Sequence, residues 1–160
     1  MKKRLIALFS LSMFLLVLNP IRVMAHCEIP CGIYNDKMRI DMIKEDISTI
    51  EKSMNQIVEL SKATPLNYNQ IVRWVNNKDE HANKIQEIAT QYFLTQRIAL
   101  TDDPVLQKKN AEMLRLLHQL CVYAMKAKQT TDLGFVEKIK AVTEDFAKLY
   151  LGENYDHDHK

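Results

Sequence analysis

Glycine and proline are scarce: the 160-residue chain holds three of one and four of the other. That leaves little turn chemistry and argues against a fold built on frequent tight reversals. Cysteine is scarce too, and two of the three residues, Cys27 and Cys31, stand four apart near the start. A basic surplus is also missing. The formal charge of +2 counts Lys2, Lys3, Arg4 and Arg22, whereas the first 25 residues hold no acid. From His26 onward 18 basic residues face 20 acidic ones, so charge gives no argument for a nucleic-acid partner. No stretch after the first 25 residues is apolar enough to span a bilayer. What is abundant is Leu, Ile, Met, Lys, Glu and Gln, all good helix formers, which points to one all-α domain.

Residues 1–25 read as a signal peptide. Lys2-Lys3-Arg4 is a positive start, Leu5 to Leu18 is apolar except for Ser10 and Ser12, and Asn19-Pro20 ends the run. Val23-Met24-Ala25 suits a signal peptidase, which places the cut between Ala25 and His26. An uncleaved anchor is the rival reading, but the run falls short of the roughly 20 residues a span needs. Lipid attachment at Cys27 would put His26 where a small residue is expected. The expectation is an exported protein, periplasmic or secreted, with no membrane segment after cleavage.

Four helices follow. The first is predicted over 36–60, with Ile40, Ile43, Ile47, Ile50, Met54 and Ile57 at alternating spacings of three and four. Thr64-Pro65 breaks the pattern. A second is predicted over 67–99, its stripe running from Ile71, Trp74 and Val75 through Ala82, Ile85, Ile88 and Ala89 to Tyr92 and Phe93. Lys78 and His81 interrupt that stripe and read as polar edge or subunit-contact residues. Asp103-Pro104 is a cap with proline in the first turn, opening a third helix over 104–128. Its expected stripe is Leu106, Met113, Leu114, Leu117, Leu120, Cys121 and Ala124, with Cys121 a buried free thiol. Thr130-Thr131-Asp132 offers the next cap. A fourth helix carries Phe135, Ile139, Val142, Phe146 and Leu149 to Leu151, and Gly152 ends it. Four amphipathic helices with short connections make an antiparallel up-down four-helix bundle over 36–152. Residues 153–160 are a polar tail, expected to be disordered, whose His157 and His159 read as solvated.

The segment 26–35 is unlike the bundle and carries the chemistry. A free terminus at His26 would offer an amine nitrogen, the Cys27 amide nitrogen and the Cys27 thiolate in two fused five-membered chelate rings. Cys31 can fold back with a second thiolate, and the His26 imidazole can reach an axial position. A planar set of two nitrogens and two sulfurs favours Ni(II) or Cu(II) over tetrahedral zinc. Anionic amide and thiolate donors also bring Ni(III) within reach. Pro30 helps the chain reverse, with a cis Ile29–Pro30 bond suited to so tight a turn, and Gly32 relaxes the backbone. The spacing alone equally allows a Cys27–Cys31 disulfide in an oxidising compartment. Zinc lacks a clear fourth ligand, and haem lacks its C-x-x-C-H attachment motif.

The run His26-Cys27-x-x-Pro30-Cys31-Gly32-x-Tyr34 resembles the metal hook of nickel-containing superoxide dismutases, with six fixed residue types in nine. The resemblance implies a homohexamer of four-helix bundles with one nickel per subunit, disproportionating superoxide to oxygen and hydrogen peroxide. It implies that Cys27 and Cys31 bind through sulfur, Cys27 also through its amide nitrogen, and His26 through its amine and, when oxidised, its imidazole. Tyr34 would line the open face, positioning superoxide or water. Arg39-Ile40-Asp41 is similar to the family's Arg-x-Glu early in helix one, whose acid supports the axial imidazole; here the acid is Asp41 and the spacing from Tyr34 is one shorter. Tyr92-Phe93 looks like the family's Tyr-Phe near the end of helix two, whose Tyr approaches the site. Asn77, Lys78 and His81 are the candidates for the family's helix-two Arg. The alternatives to an enzyme are an exported bundle that binds nickel or copper without turnover, and a structural bundle closed by the disulfide.

Overall fold

The computed structural model describes residues 32–152. The leader, the Ala25–His26 junction, His26 to Cys31 with the Ile29–Pro30 bond, and the 153–160 tail lie outside the described residues. Every regular element within the described residues is helical.

Helix α1 spans Asp36–Leu60, the predicted range. The Asn35 side chain accepts from the Met38 amide at 3.0 Å and so satisfies one of the free amides of the first turn. All six apolar residues of the predicted stripe are buried, as a period of 3.6 requires. Asp46 and Ser53 are buried among them. Helix α2 spans Tyr68–Glu87, with Asn67 as its cap. It continues without a break as a π-helix over Ile88–Arg97 and ends at the extended Ile98, two residues short of the expected end. The Ile98 amide donates to the Phe93 carbonyl, Thr95 Oγ1 to the Thr90 carbonyl and Gln96 Nε2 to the Gln91 carbonyl, each five residues back. Of the expected α2 stripe, Ala82 to Phe93 is buried, whereas Ile71, Trp74 and Val75 are only half-buried.

Helix α3 spans Pro104–Lys128, with Asp103 accepting from the Val105 and Leu106 amides. Here the stripe differs from expectation: Leu106 and Leu114 are exposed, and Leu116 takes a core place. Helix α4 spans Gly134–Leu151. Its cap position is Leu133, one residue after the expected one, although the Asp132 carboxylate still accepts from the Gly134 amide at 2.8 Å. Gly152 ends the helix with φ +60, a left-handed conformation that glycine adopts without strain.

The helices form a ring in which α1 packs on α2 and α4, and α3 packs on the same two. The start of α1 meets the ends of α2 and α4, through Asp36 with Arg97 and with Tyr150. The first half of α2 meets the end of α3, through Lys78 and the Ala127 and Lys128 carbonyls. Neighbours therefore run antiparallel, and the fold is an up-down four-helix bundle. Phe93 and Phe146 stack edge to face at 4.9 Å in its interior. No helix among the described residues is long and apolar enough to cross a membrane.

Candidate functional site

The site is built where the chain enters α1. Gly32 has φ +78, open to glycine and strained for other residues. Two residues later the Tyr34 ring lies against the bundle. It meets the Tyr92 ring edge-on at 6.0 Å, and the Arg97 guanidinium lies over it at 4.2 Å. Tyr34 is 40 % exposed and Tyr92 only 4 %, so the first presents a face to solvent and the second does not.

Asp36, the first residue of α1, holds the cluster together. Arg97 donates to it twice, Nε to Oδ1 at 2.8 Å and Nη2 to Oδ2 at 2.7 Å. The Tyr92 hydroxyl donates to Oδ1 at 2.6 Å and the Tyr150 hydroxyl to Oδ2 at 2.9 Å. Tyr92 also accepts from the Asn35 amide at 3.1 Å. Burial alone would raise the Asp36 carboxyl, but the bonds from Arg97, Tyr92 and Tyr150 and the Arg97 charge outweigh it and hold it below 3.8. Burial, followed by the bond to this carboxylate, pushes the Tyr92 and Tyr150 phenols up to about 12. The π-helical pitch makes the arrangement possible. Tyr92 and Arg97 are five residues apart, and a turn closed by five-residue bonds puts them on one face.

Arg39 lies over the other side of this group, its guanidinium 5.0 Å from the Tyr92 ring centre. Its Nε is buried without a hydrogen-bond partner among the described residues. A buried guanidinium N–H left unmatched costs on the order of 1–3 kcal/mol.

Of the residues expected at the site, Tyr34 and Tyr92 come together. Asp41 pairs instead with Lys37 at 3.1 Å, one turn back on an exposed face. His26, Cys27 and Cys31 lie outside the described residues. The three candidates on α2 serve elsewhere. Asn77 donates to Ser53 Oγ, and His81 Nδ1 lies 2.6 Å from the buried Asp46 carboxylate. Lys78 is no edge residue: it is 3 % exposed and donates to the Ala127 and Lys128 carbonyls and to Asp79. Arg97, Asp36 and Tyr150 were not singled out by sequence. Asp36 looks there like an ordinary first-turn acid, and Arg97 falls outside an α-helical stripe because its register depends on the π-helix.

Among the described residues no group of three or more His, Cys, Asp or Glu could hold a metal ion. Cys121 is half-buried beside Leu117 and His118, and burial pushes its thiol up, so it is a poor ligand.

Comparison with known proteins bears on the segment before Gly32. The model of the family described as nickel-containing superoxide dismutase matches residues 21–154, which include the whole His26–Tyr34 motif and all four helices. No curated protein and no solved structure matches the chain. With a match over most of its length, an all-helical bundle of the expected order, and a tyrosine anchored three residues after Cys31, the chain belongs to the nickel-containing superoxide dismutase family, whose cofactor is nickel and whose substrate is superoxide.

Proposed function

We propose that this superoxide dismutase binds one nickel per subunit through His26, Cys27 and Cys31, and that the binding set is completed by cleavage after Ala25. The donor chemistry fits the metal: two thiolates with amine, amide and imidazole nitrogens would hold nickel and suit it better than zinc. When bound, the nickel supplies a centre that alternates between Ni(III) and Ni(II), so two superoxide ions and two protons become oxygen and hydrogen peroxide. The chain's own residues arrange the surroundings. The observation that carries the reading is the anchorage of Tyr34, which Arg97 and Tyr92 hold two residues after Gly32. In this reading the Tyr34 hydroxyl, its ring held by Arg97 and Tyr92, positions superoxide or a water that carries its proton. Asp41, exposed and paired with Lys37 through Oδ2, would keep acceptor capacity to support the His26 imidazole.

The same reading has the protein exported, with residues 1–25 as its signal peptide, free of the membrane after cleavage, and assembled as a homohexamer. Exposed Leu94, Leu100, Val105, Leu106 and Leu114 along the end of α2 and the start of α3 support subunit packing.

One added residue ahead of His26 tests the ligand set. It should abolish nickel-dependent turnover while helical circular dichroism stays unchanged. Full activity in that variant would show that the His26 amine is not a ligand. A mature protein lacking two hydrogens, devoid of nickel and without turnover would establish the Cys27–Cys31 disulfide instead.

A further inference from the structure

Two tyrosines stand at the site, and their hydrogen bonds give them different chemistry. A phenol has one proton to donate. Tyr92 gives its proton to Asp36 at 2.6 Å and accepts from the Asn35 amide, so its hydroxyl is engaged on both counts and 4 % exposed. Asp36 in turn is saturated. A carboxylate offers about four lone-pair sites, and Arg97 fills two, Tyr92 one and Tyr150 one. No site on Asp36 is left for a further donor, so the Tyr92 hydroxyl stays committed to Oδ1. Tyr34 differs. Its ring is gripped between the Arg97 guanidinium and the Tyr92 edge, and its side chain is 40 % exposed. The guanidinium that grips it is itself locked in plane by the two-pronged bond to Asp36.

We propose that Asp36 and Arg97 are positioning residues of the dismutase: they withhold the Tyr92 hydroxyl and aim Tyr34, so that the Tyr34 phenol alone is offered to superoxide or its water. The inference rests on the reading that Tyr34 lines the open face. Asp36 and Arg97 act through the tyrosines they contact, Tyr92 and Tyr34. Three helices converge on the pair, through the first residue of α1, the last π-helical residue of α2 and Tyr150 near the end of α4. Among the described residues, the contacts that aim Tyr34 come from Arg97 and Tyr92 of the bundle. Substituting lysine for Arg97 keeps the charge but loses the planar fork and the flat face over the ring.

The experiment compares Arg97→Lys, Tyr34→Phe and the double variant as nickel-loaded, processed enzymes. Arg97→Lys should load nickel fully and lower kcat/KM about fivefold to tenfold, the scale of one lost positioning contact. The double variant should lose little beyond Tyr34→Phe, because Arg97 acts through that phenol. In the nickel-free protein, NMR signals of the Tyr34 ring should move in Arg97→Lys while core isoleucine methyl signals stay in place. A merely structural role would move the methyl signals and give additive losses. Tyr150→Phe keeps the aromatic stack and removes one bond to Asp36; it should shift the Tyr34 ring signals the same way by a smaller amount, which serves should the lysine variant fold poorly. Wild-type kcat/KM in Arg97→Lys, with Tyr34→Phe impaired, overturns the proposal alone. Wild-type kcat/KM in Tyr34→Phe overturns the reading of Tyr34 and the proposal with it.

Discussion

At the scale of single residues, Asp36 shows how a group with no place in the reaction can order a site. Its four hydrogen bonds favour the charged form, and they outweigh the burial that opposes it. A carboxyl held below its ordinary value stabilises the folded state above that value and loses the contribution as pH falls through the lower, native one. Wild-type protein should therefore lose part of its stability below about pH 4, and Asp36→Asn should show a flatter loss there while being less stable at neutral pH. Denaturant unfolding at a series of pH values checks both. Tyr92 and Tyr150 work in the opposite direction. Each is raised from 10 to about 12, so their contribution is whole below pH 10 and is lost as pH rises through 12. Ultraviolet titration should find two phenols that ionise near pH 12, and Asp36→Asn should bring both down. Tyr34 and Tyr92 could be read from sequence because one belongs to a fixed motif and the other to a core stripe. Asp36, Arg97 and Tyr150 could not, since their meaning lies in contacts of Asp36 with residues 61 and 114 positions away.

At the scale of elements, the periodic segments were legible and the irregular ones were not. The α1 range and its whole buried stripe follow from spacings of three and four, and α3 begins at the Asp103-Pro104 signal. The π-helical end of α2 escaped, because side-chain pattern does not reveal a change in backbone pitch over Ile88–Arg97. Lys78 was misread for a related reason. A lysine in an apolar stripe looks like an edge, yet this one spends its three donors on Ala127, Lys128 and Asp79. Two of those acceptors are carbonyls at the end of α3, where the helix dipole favours a cation. Lys78→Met preserves volume but strands both carbonyls in a buried place. It should cost about 2–4 kcal/mol in urea unfolding, with the loss concentrated at the α2–α3 contact. Hydrogen exchange should show early opening at 124–128 in that variant. A loss under about 0.5 kcal/mol would mean that water replaces the ammonium there.

At the scale of the whole molecule, the bundle and the chemistry are separable. The core runs from Ile40 to Ala147 and is made of aliphatic and aromatic side chains from all four helices. The proposed ligand set lies ahead of Gly32, outside this core. The same separation explains what sequence disclosed about the site. The motif announces the metal chemistry, whereas the support beneath it emerges only when three helix ends converge. Removal of nickel should accordingly abolish turnover yet leave a helical protein with a cooperative thermal transition. Nickel bound to the native chain adds stability through mass action, so the transition should rise with free nickel and fall back on chelation. Circular dichroism melts of stripped and reloaded protein, taken beside activity, measure both effects. Arg97→Lys should keep most of the nickel-dependent rise, because that residue aims a tyrosine and binds no metal. A stripped protein that melts without cooperativity would instead make the ordered hook part of the bundle's own stability. Tyr34 would then be the first contact to examine, since its ring is held by Arg97 and Tyr92 where the hook joins α1.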